Sequence, residues 1–174
     1  INMVNGDGVV GASLAAHEGI DKVAFTGSTA VGQSIRKSTA GQGKKLTLEL
    51  GGKSAFVVFE DADLDAAVEG LVDSIWFNQG EVCCAGSRLL VQAEVAEKLH
   101  LKIKARIKQL RLGLPLDKSI DLGSLVSKTQ FERVSQMVND GLKHGGESFQ
   151  ACDIDAEKNL IHLPLLLILT QVIR

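Results

Sequence analysis

The sequence predicts an α/β fold, in which short strands of a parallel-type sheet alternate with covering helices. Three runs, 23–25, 44–50 and 54–59, are rich in apolar residues and have the length of strands. Segments around them repeat apolar residues every three or four positions, as amphipathic helices do. Eighteen glycines against two prolines are consistent with many tight turns between these elements.

Composition narrows the classes of function. Of the 174 residues, 45% are hydrophobic and 23% are charged, which is ordinary for a globular protein. The net charge of −2 gives no electrostatic reason to expect a nucleic acid partner. The longest strictly apolar run, 165–169, is far too short to cross a membrane. Three cysteines, two of them adjacent, make a poor disulfide framework, so we expect a reducing, cytoplasmic location.

The start of the chain suggests a piece of a longer protein. There is no initiator Met and no visible signal peptide, and residues 1–4 read as the end of a strand. Gly6, Gly8 and Gly11 then match the pattern G-x-G-x-x-G before a helix predicted at 12–17. This pattern is typical of a phosphate-binding turn, but it also occurs in glycine-rich connections that bind nothing.

A second glycine-containing turn follows the strand at 23–25. It reads Thr-Gly-Ser-Thr-Ala-Val-Gly at 26–32, and a helix is predicted to continue to residue 38. Gly27 allows a sharp turn, and Ser28 or Thr29 can cap the helix, whose first N–H groups then favour an anion. An ordinary capped turn without a ligand fits the same residues.

The strand at 44–50 ends beside a candidate carboxylate. Apolar and polar residues alternate along it, so that Leu48 and Leu50 lie on one face and Glu49 lies on the other. A carboxylate at a strand end is usually a solvated charge. Because Gly51 and Gly52 follow without side chains, Glu49 could instead point into a cleft that holds a ligand.

The loop at 76–88 carries two adjacent cysteines. A helix that begins with the acidic residues at 61–63 runs into this loop, and a short strand follows at 89–91. A thiol on a loop between two regular elements can be held rigidly and still be reached, so Cys83 is a candidate nucleophile. The alternative is that Cys83 and Cys84 are buried, inert thiols.

The second half of the chain is predicted to be largely helical, over 93–112 and from 127 or 129 to about 144. The first of these helices is basic and could bind nucleic acid, but it has no aromatic residue to stack on bases. A solvated charged face is the ordinary interpretation. Residues 159–174 have no clean period and are interpreted as an edge strand without a partner.

Three stretches, in the same order, closely resemble the aldehyde dehydrogenase family. Phe-Thr-Gly-Ser-Thr-Ala-Val-Gly at 25–32 is similar to its cofactor turn, and Leu-Glu-Leu-Gly-Gly-Lys-Ser at 48–54 to its glutamate signature. Asn-Gln-Gly-Glu-Val-Cys-Cys-Ala-Gly-Ser-Arg at 78–88 is similar to its cysteine signature. The 34-residue separation of Glu49 and Cys83 also agrees. The resemblance covers residues 1 to about 147, and details at 76–77 and 110–116 resemble the branch with duplicated dehydrogenase-like domains.

The resemblance implies NAD(P)-dependent oxidation of an aldehyde to a carboxylic acid. Cys83 would be the nucleophile that forms a thioester, and Glu49 would activate the water that hydrolyses it. The residues implied to bind the cofactor, NAD or NADP, are Gly27, Ser28, Gly32, Leu50 and Gly51. Gly6, Gly8 and Gly11 would instead belong to a turn near the adenosine side, and no metal site is implied.

The resemblance also implies a division of the chain. Residues 1–49 would be the second half of a Rossmann-like, NAD(P)-binding domain, and 50–150 the N-terminal part of the catalytic α/β domain. Residues 151–174 would be a divergent, truncated tail. The implied partner is a small-molecule aldehyde, and the full-length protein is expected to be a homo-oligomer, with no nucleic acid or membrane partner.

Departures from the family pattern keep two alternatives open. Glu81 stands where the family commonly has Gln, and its charge would oppose thiolate formation at Cys83 if it points inward. The family's oxyanion-hole Asn, its ribose-binding Lys and its E-x-F-G-P motif do not occur in the chain. One alternative is therefore a non-catalytic scaffold fragment of the same family. The other is a cysteine hydrolase that uses Cys83 and Glu49 without a cofactor.

Overall fold

The chain separates into two compact units. The structure, a computed structural model, describes residues 1–151 and 165–168. The units are Ile1–Gly52 and Lys53–Arg174. Helices and strands alternate in both, so the predicted α/β class is confirmed. The names given to the segments 1–49, 50–150 and 151–174 stay a prediction.

The first unit contains two parallel strands, each preceded by a helix. Its elements are α1 (Gly8–Ala16), β1 (Lys22–Gly27), α2 (Thr29–Ser38) and β2 (Lys45–Leu50). In the register of the pair, Lys22 lies opposite Lys45 and Gly27 lies opposite Leu50. The carboxyl ends of β1 and β2 therefore coincide, and the residues that follow them meet at one edge of the sheet.

The first helix begins earlier than predicted, because a side chain caps it. The Asp7 carboxylate accepts a hydrogen bond of 2.9 Å from the Val9 N–H, which satisfies a donor that the helix leaves unpaired. Gly8 and Gly11 consequently lie inside α1, and the prediction of a helix only from residue 12 is wrong. Residues 1–4 form no strand, so that prediction is wrong as well.

The beginning of β2 is tied to the end of α1. Lys44 Nζ donates to the carbonyl oxygens of Ala15 and His17, at 2.9 and 2.7 Å. The last carbonyls of a helix have no partner within it and carry partial negative charge, so a cation is favoured there. This contact joins α1 to the β1–β2 pair.

The second unit contains three helices and four strands within its described residues. They are β3 (Ala55–Val58), α3 (Leu64–Ile75), β4 (Arg88–Val91), α4 (Ala93–Ile107), α5 (Lys128–Lys143), β5 (Glu147–Gln150) and β6 (Leu165–Ile168). β3 and β4 are parallel, with Ala55 opposite Arg88. β5 and β6 are antiparallel, with Glu147 opposite Ile168. The parallel pair confirms the predicted sheet type, and a 3-10 turn at Phe77–Gly80 leads from α3 toward the cysteines.

The core of this unit lies between the β3–β4 pair and the helices α3 and α4. Its buried side chains are Val58, Leu64, Val68, Leu71, Val72, Trp76, Val91, Leu99, Ile103, Ile107, Leu110 and Leu122. The spacing of Leu64, Val68, Leu71 and Ile75 predicts an apolar stripe on the helix that is now α3. The stripe is confirmed, since the first three side chains are buried and the fourth is partly buried. Truncating a fully buried residue such as Ile103 to Ala would cost about 2–5 kcal/mol.

Two ion pairs connect the outer faces of α3 and α4. Asp65 pairs with Lys102, and Glu69 pairs with Arg106, whose Nε lies 2.8 Å from the carboxylate. Both carboxylates are exposed, so each pair contributes less than about 1 kcal/mol. These pairs give partners to two basic side chains of α4, Lys102 and Arg106.

One helix ends earlier than predicted, one helix begins at a predicted residue, and a predicted strand has a partner that was not expected. α4 stops at Ile107 rather than at 112, because the chain turns and Leu112 then forms a bridge with Leu122. Ser127, one of the two predicted starts, caps α5 by accepting from the Gln130 N–H at 3.1 Å. The predicted strand in 159–174 exists at Leu165–Ile168, but it has β5 as a partner, so the expectation of an unpaired edge is wrong there. Residues 159–164 and 169–174, and Cys152, lie outside the described part.

Across residues 1–151 and 165–168, no helix combines the length and the apolar character that crossing a membrane requires.

Candidate functional site

The turn between β1 and α2 brings together the residues predicted to bind a cofactor. Ser28 caps α2, because its hydroxyl accepts a 3.3 Å hydrogen bond from the Val31 N–H. The cap is uncharged, and the other N–H groups of a first helical turn have no intrahelical partner. Positive partial charge without a neutralising carboxylate suits a phosphate oxygen. The turn can therefore hold an anion at the carboxyl end of β1.

Gly32 and Leu50 pack against each other beneath this turn. A Cβ atom on Gly32 would lie 2.6 Å from Leu50 Cδ2 and 3.0 Å from Cδ1, closer than packed atoms come. Gly32 is buried within α2, and Leu50 is partly buried at the end of β2. The missing side chain thus lets the helix start lie directly against the strand end. A close approach of helix and strand is what a glycine at this point of a phosphate-binding turn provides.

The remaining predicted cofactor residue, Gly51, is exposed immediately after β2. A Cβ atom placed on Gly51 meets no other atom within 4 Å, so local packing does not require a glycine there. Gly27, Ser28, Gly32 and Leu50 are brought together by the β1–α2–β2 packing. Gly51 continues from the same edge with open space around it.

The first glycine motif has a different character. Gly8 and Gly11 are inside α1, and the start of that helix is occupied by the Asp7 carboxylate. A negative charge on the first turn opposes the approach of a phosphate. The first turn of α1, with its charged Asp7 cap, is therefore less suited to a phosphate than the first turn of α2, with its uncharged Ser28 cap.

Glu49 lies on the exposed face of β2. It is opposite Thr26 in the register with β1, and both residues are exposed, whereas Leu48 and Leu50 are partly buried. The alternation predicted for this strand is confirmed. The carboxylate is accessible to water and belongs to the first unit, while Cys83 belongs to the second.

The turn that leads to the cysteines has an uncommon backbone. Asn78, Gln79 and Gly80 have φ angles of 49°, 58° and 76°, so three successive residues are in the left-handed region. Gly adopts this conformation freely and Asn tolerates it, but Gln pays about 1–2 kcal/mol. Hydrogen bonds inside the turn offset part of this strain. Gln79 N–H donates to the Trp76 carbonyl at 3.0 Å, and Glu81 N–H donates to that of Asn78 at 3.0 Å.

The other side of the cysteine turn is fixed to α3. Gly86 N–H lies 3.1 Å from the Ser74 carbonyl oxygen and 3.0 Å from its hydroxyl oxygen, and Ala85 is buried. A side chain on Gly86 would collide with the Ser74 hydroxyl and lie 3.2 Å from Phe56 Cβ. The backbone two and three residues after Cys83 therefore has little freedom.

Cys83 and Cys84 sit between these two anchored stretches, on a turn of their own. Both thiols are free and exposed. The expectation of burial, which belonged to the alternative interpretation, is wrong for both cysteines. An exposed thiol on a backbone held at both sides can meet an electrophile in a defined geometry.

Sequence reasoning missed the contacts that hold this loop. Ser74 lies in the last turn of a helix, where its hydroxyl had no recognisable role. Glu81 was expected to affect Cys83 by its charge, whereas its carboxylate accepts a 3.2 Å hydrogen bond from the Val126 N–H. The one signal available was the dipeptide Gln79–Gly80 after Asn78, since glycine and asparagine favour the left-handed conformation.

The segment after α4 contains an ion pair between Arg111 and Asp121. Arg111 donates to Asp121 through its backbone N–H at 2.8 Å and through its guanidinium at 3.0 and 3.1 Å. These hydrogen bonds lower the pKa of Asp121 from 3.8 to about 2. Together with the bridge from Leu112 to Leu122, they close the loop 111–122 at its base.

Several basic side chains of α4 and of its C-terminal turn have partners in the structure. Besides the two residues paired with α3, Lys104 and Lys108 lie over the Phe149 ring, at 5.4 and 5.8 Å from its centre. Charges that are already engaged in this way are less available to phosphates. Over residues 1–151 and 165–168, no group of three or more His, Cys, Asp or Glu side chains is arranged to hold a metal ion.

Comparison with known proteins gives the family. A model of the Aldehyde dehydrogenase family matches residues 1–171, which is nearly the whole chain and extends beyond the resemblance visible in the motifs. The chain belongs to the aldehyde dehydrogenase family. The predicted resemblance is thus confirmed.

Curated relatives match at moderate identity. Aldehyde dehydrogenase of Alternaria alternata is 48% identical over 147 residues, which are 83% of this chain and 30% of the relative. Mitochondrial aldehyde dehydrogenase of Homo sapiens is 39% identical over 166 residues, which are 94% of this chain and 32% of the relative. The chain therefore spans about a third of the length of the aldehyde dehydrogenases that it matches.

Solved aldehyde dehydrogenases share the fold. Betaine aldehyde dehydrogenase of Staphylococcus aureus, in complex with NAD+, superposes with a TM-score of 0.90 at 29% identity, covering 95% of this chain and 34% of that one. PnpE in complex with nicotinamide adenine dinucleotide gives a TM-score of 0.86 at 36% identity, covering 90% of this chain and 33% of that one. The predicted aldehyde-dehydrogenase-like fold is confirmed.

Proposed function

We propose that the protein containing this chain oxidises an aldehyde to a carboxylic acid with NAD or NADP, through a thioester on Cys83. The observation that carries the proposal is the placement of the Cys83 thiol. It is exposed, and the chain on either side of it is held by hydrogen bonds, through the Glu81 carboxylate before it and the Gly86 N–H after it. Membership of a family of oxidoreductases supports the same assignment.

The cofactor fits the turn between β1 and α2. The uncharged Ser28 cap leaves N–H groups for a pyrophosphate, and Gly27 ends β1 without a side chain there. Gly32 lets Leu50 approach the helix start, so that the Leu50 backbone and Gly51 would border the cofactor. Similar proteins have been solved with NAD+ bound, which supports NAD as the first cofactor to test.

Residues of this chain take part in two steps of the proposed reaction. In the first, the Cys83 thiolate attacks the carbonyl carbon, a C–S bond forms, and the negative charge moves to the carbonyl oxygen. The Cys83 backbone N–H donates to that oxygen and stabilises the charge. When NAD or NADP is bound, its nicotinamide supplies the acceptor for the hydride that leaves as the thioester forms.

In the second step, Glu49 acts as a general base. Its carboxylate takes a proton from water, the resulting hydroxide attacks the thioester carbon, and the C–S bond breaks. The carboxylic acid is released and the Cys83 thiolate is restored. Glu49 is suited to this role because it is exposed to water at the end of β2.

The proposal extends to the organisation of the protein. Residues 1–49 would be the second half of the NAD(P)-binding domain and 50–150 the N-terminal part of the catalytic domain, followed by a divergent tail. The free, exposed thiols of Cys83 and Cys84 support a reducing, cytoplasmic location. The full-length protein would be a homo-oligomer, as the family resemblance implies.

The test is NADH production from a panel of aldehydes by the full-length protein. We expect activity in the wild type and in Cys84→Ser, and none in Cys83→Ser. The Cys84→Ser variant is the matched control because the two thiols are adjacent and equally free. If the wild type produces neither NADH from NAD nor NADPH from NADP with any aldehyde, the non-catalytic alternative holds. Ester hydrolysis by Cys83 that ignores NAD would favour the hydrolase instead.

A further inference from the structure

Two side chains of the strained turn before the cysteines reach the same neighbouring segment. Glu81 Oε2 accepts a hydrogen bond from the Val126 N–H at 3.2 Å. The Gln79 amide, oriented so that both of its contacts are satisfied, accepts from the Gly123 N–H at 2.9 Å and donates to the Asn78 carbonyl at 3.0 Å. The loop that carries Cys83 is thus linked twice to residues 123–126.

The segment 123–126 is itself firmly anchored. Leu122 and Leu125 are buried, with 3% and 6% of their surface exposed. The bonds between Arg111 and Asp121 close the chain before it, and α5 begins directly after it with the Ser127 cap. A link to this segment therefore restrains the cysteine loop against the core of the unit.

The strained backbone needs such links. Three successive left-handed residues, one of them Gln79, favour relaxation of the turn unless surrounding contacts hold it. Cys83 follows Glu81 by two residues, and the next anchored position is Ala85. The backbone at Cys83 is therefore restrained on one side by the Glu81 bond and on the other by the Ser74–Gly86 bonds.

We propose that Glu81 is a positioning residue, which fixes the Cys83 turn by accepting a hydrogen bond from Val126, with Gln79 as a second link through Gly123. The inference rests on the proposed role of Cys83 as the nucleophile. Glu81 does not touch the reacting atoms. It acts as an acceptor, so a neutral glutamine at this position keeps the link, whereas alanine removes it.

A comparison of Glu81→Gln with Glu81→Ala separates the effect of the hydrogen bond to Val126 from the effect of the negative charge. Both variants remove the negative charge near Cys83, and they differ in whether an acceptor for the Val126 N–H remains. Glu97→Ala is the matched control, since Glu97 is exposed on α4. Amide hydrogen exchange at single residues, read by fragmentation mass spectrometry from milliseconds to minutes, measures the link at Val126 and its effect on the cysteine turn at Ala85.

In Glu81→Ala, we expect exchange at Val126 to rise roughly tenfold, as the loss of one hydrogen bond to a charged, partly solvated acceptor implies. We expect exchange at Ala85 to rise with it, because its N–H donates to the Val82 carbonyl at 3.1 Å and closes the turn that carries Cys83. Glu81→Gln should stay within about threefold of wild type at both amides, because an amide oxygen accepts a weaker hydrogen bond than a carboxylate. Glu97→Ala should change neither. Equal exchange at Val126 in the Ala and Gln variants overturns the proposal, and so does a change at Val126 without one at Ala85.

A second variant keeps the test decisive if Glu81→Ala does not fold. Gln79→Gly removes the amide link while relieving the left-handed strain, so exchange at Gly123 should rise in a folded protein, and unchanged exchange would contradict the second link. In the full-length protein, kcat for aldehyde oxidation should fall about tenfold in Glu81→Ala and recover in Glu81→Gln, with little change in KM. Exchange needs neither aldehyde nor cofactor, so absence of oxidation would count against the proposed function alone.

Discussion

Replacing Gly32 by alanine tests the packing that forms the cofactor turn. Two effects oppose each other. Alanine in a helix interior is favoured over glycine by about 1 kcal/mol. The new Cβ atom, however, would lie 2.6 Å from Leu50 Cδ2, and overpacking of this kind costs about 1–3 kcal/mol. We therefore expect the free energy of unfolding of the first unit to fall by about 0–2 kcal/mol.

Gly11→Ala is the matched control within the same unit. Gly11 is also inside a helix, but it is exposed, and a Cβ atom there meets nothing within 4 Å. Only the propensity gain remains, so this variant should raise the free energy of unfolding by up to about 1 kcal/mol. The two substitutions thus have opposite expected signs.

Native-state amide exchange of β1 and β2 measures both free energies, because these strands exchange only when the unit opens. Displacement of Leu50 should also weaken NAD binding by Gly32→Ala, measured by calorimetry on the full-length protein, whereas Gly11→Ala should bind normally. If Gly32→Ala stabilises the unit as much as Gly11→Ala does, the close contact of Gly32 and Leu50 is not what requires glycine, and the reasoning fails.

Three further expectations concern single side chains. Ser28→Ala should destabilise α2 by about 1 kcal/mol, because the cap is lost. Ser28→Asp should keep the cap but weaken dinucleotide binding, because its charge repels phosphate, and calorimetric titration with NAD distinguishes the two variants. Arg111 lowers the folded-state pKa of Asp121 from 3.8 to about 2, so the stabilisation by Asp121 is present above about pH 4 and is lost as the pH falls toward 2. Asp121→Asn should lack this pH-dependent loss of stability, and an acid unfolding transition identical to that of the wild type would contradict the expectation. In a rapid-mixing experiment, Glu49→Gln should still form NADH in the first turnover but should form none in the steady state. Steady formation of NADH by this variant would show that Glu49 is not the base for thioester hydrolysis.

Local sequence signals predicted the regular elements well. The alternation in β2 placed Leu48 and Leu50 on the buried face and Glu49 on the exposed one, and the stripe of α3 predicted its core side. These predictions succeed because burial imposes a period on each element separately. The cofactor turn was also recognisable, since Gly27 and Ser28 have local roles at a strand end and a helix start.

Contacts between residues far apart in the chain could not be predicted from the sequence. The link from Glu81 to Val126 joins residues 45 positions apart, and no local pattern marks it. The exposure of Cys84 likewise depends on how the loop is held rather than on its own neighbours. Such features follow from tertiary packing, which periodicity and propensity do not encode.

The central claim, that Cys83 carries the acyl group, is tested most directly by trapping it. The full-length Glu49→Gln variant is mixed with an aldehyde and NAD, quenched in acid and digested, and fragmentation between the adjacent cysteines locates the modification. We predict an acyl group on Cys83, absent when NAD is omitted. An acyl group on Cys84 instead, or unimpaired aldehyde oxidation by Cys83→Ser, would contradict the account.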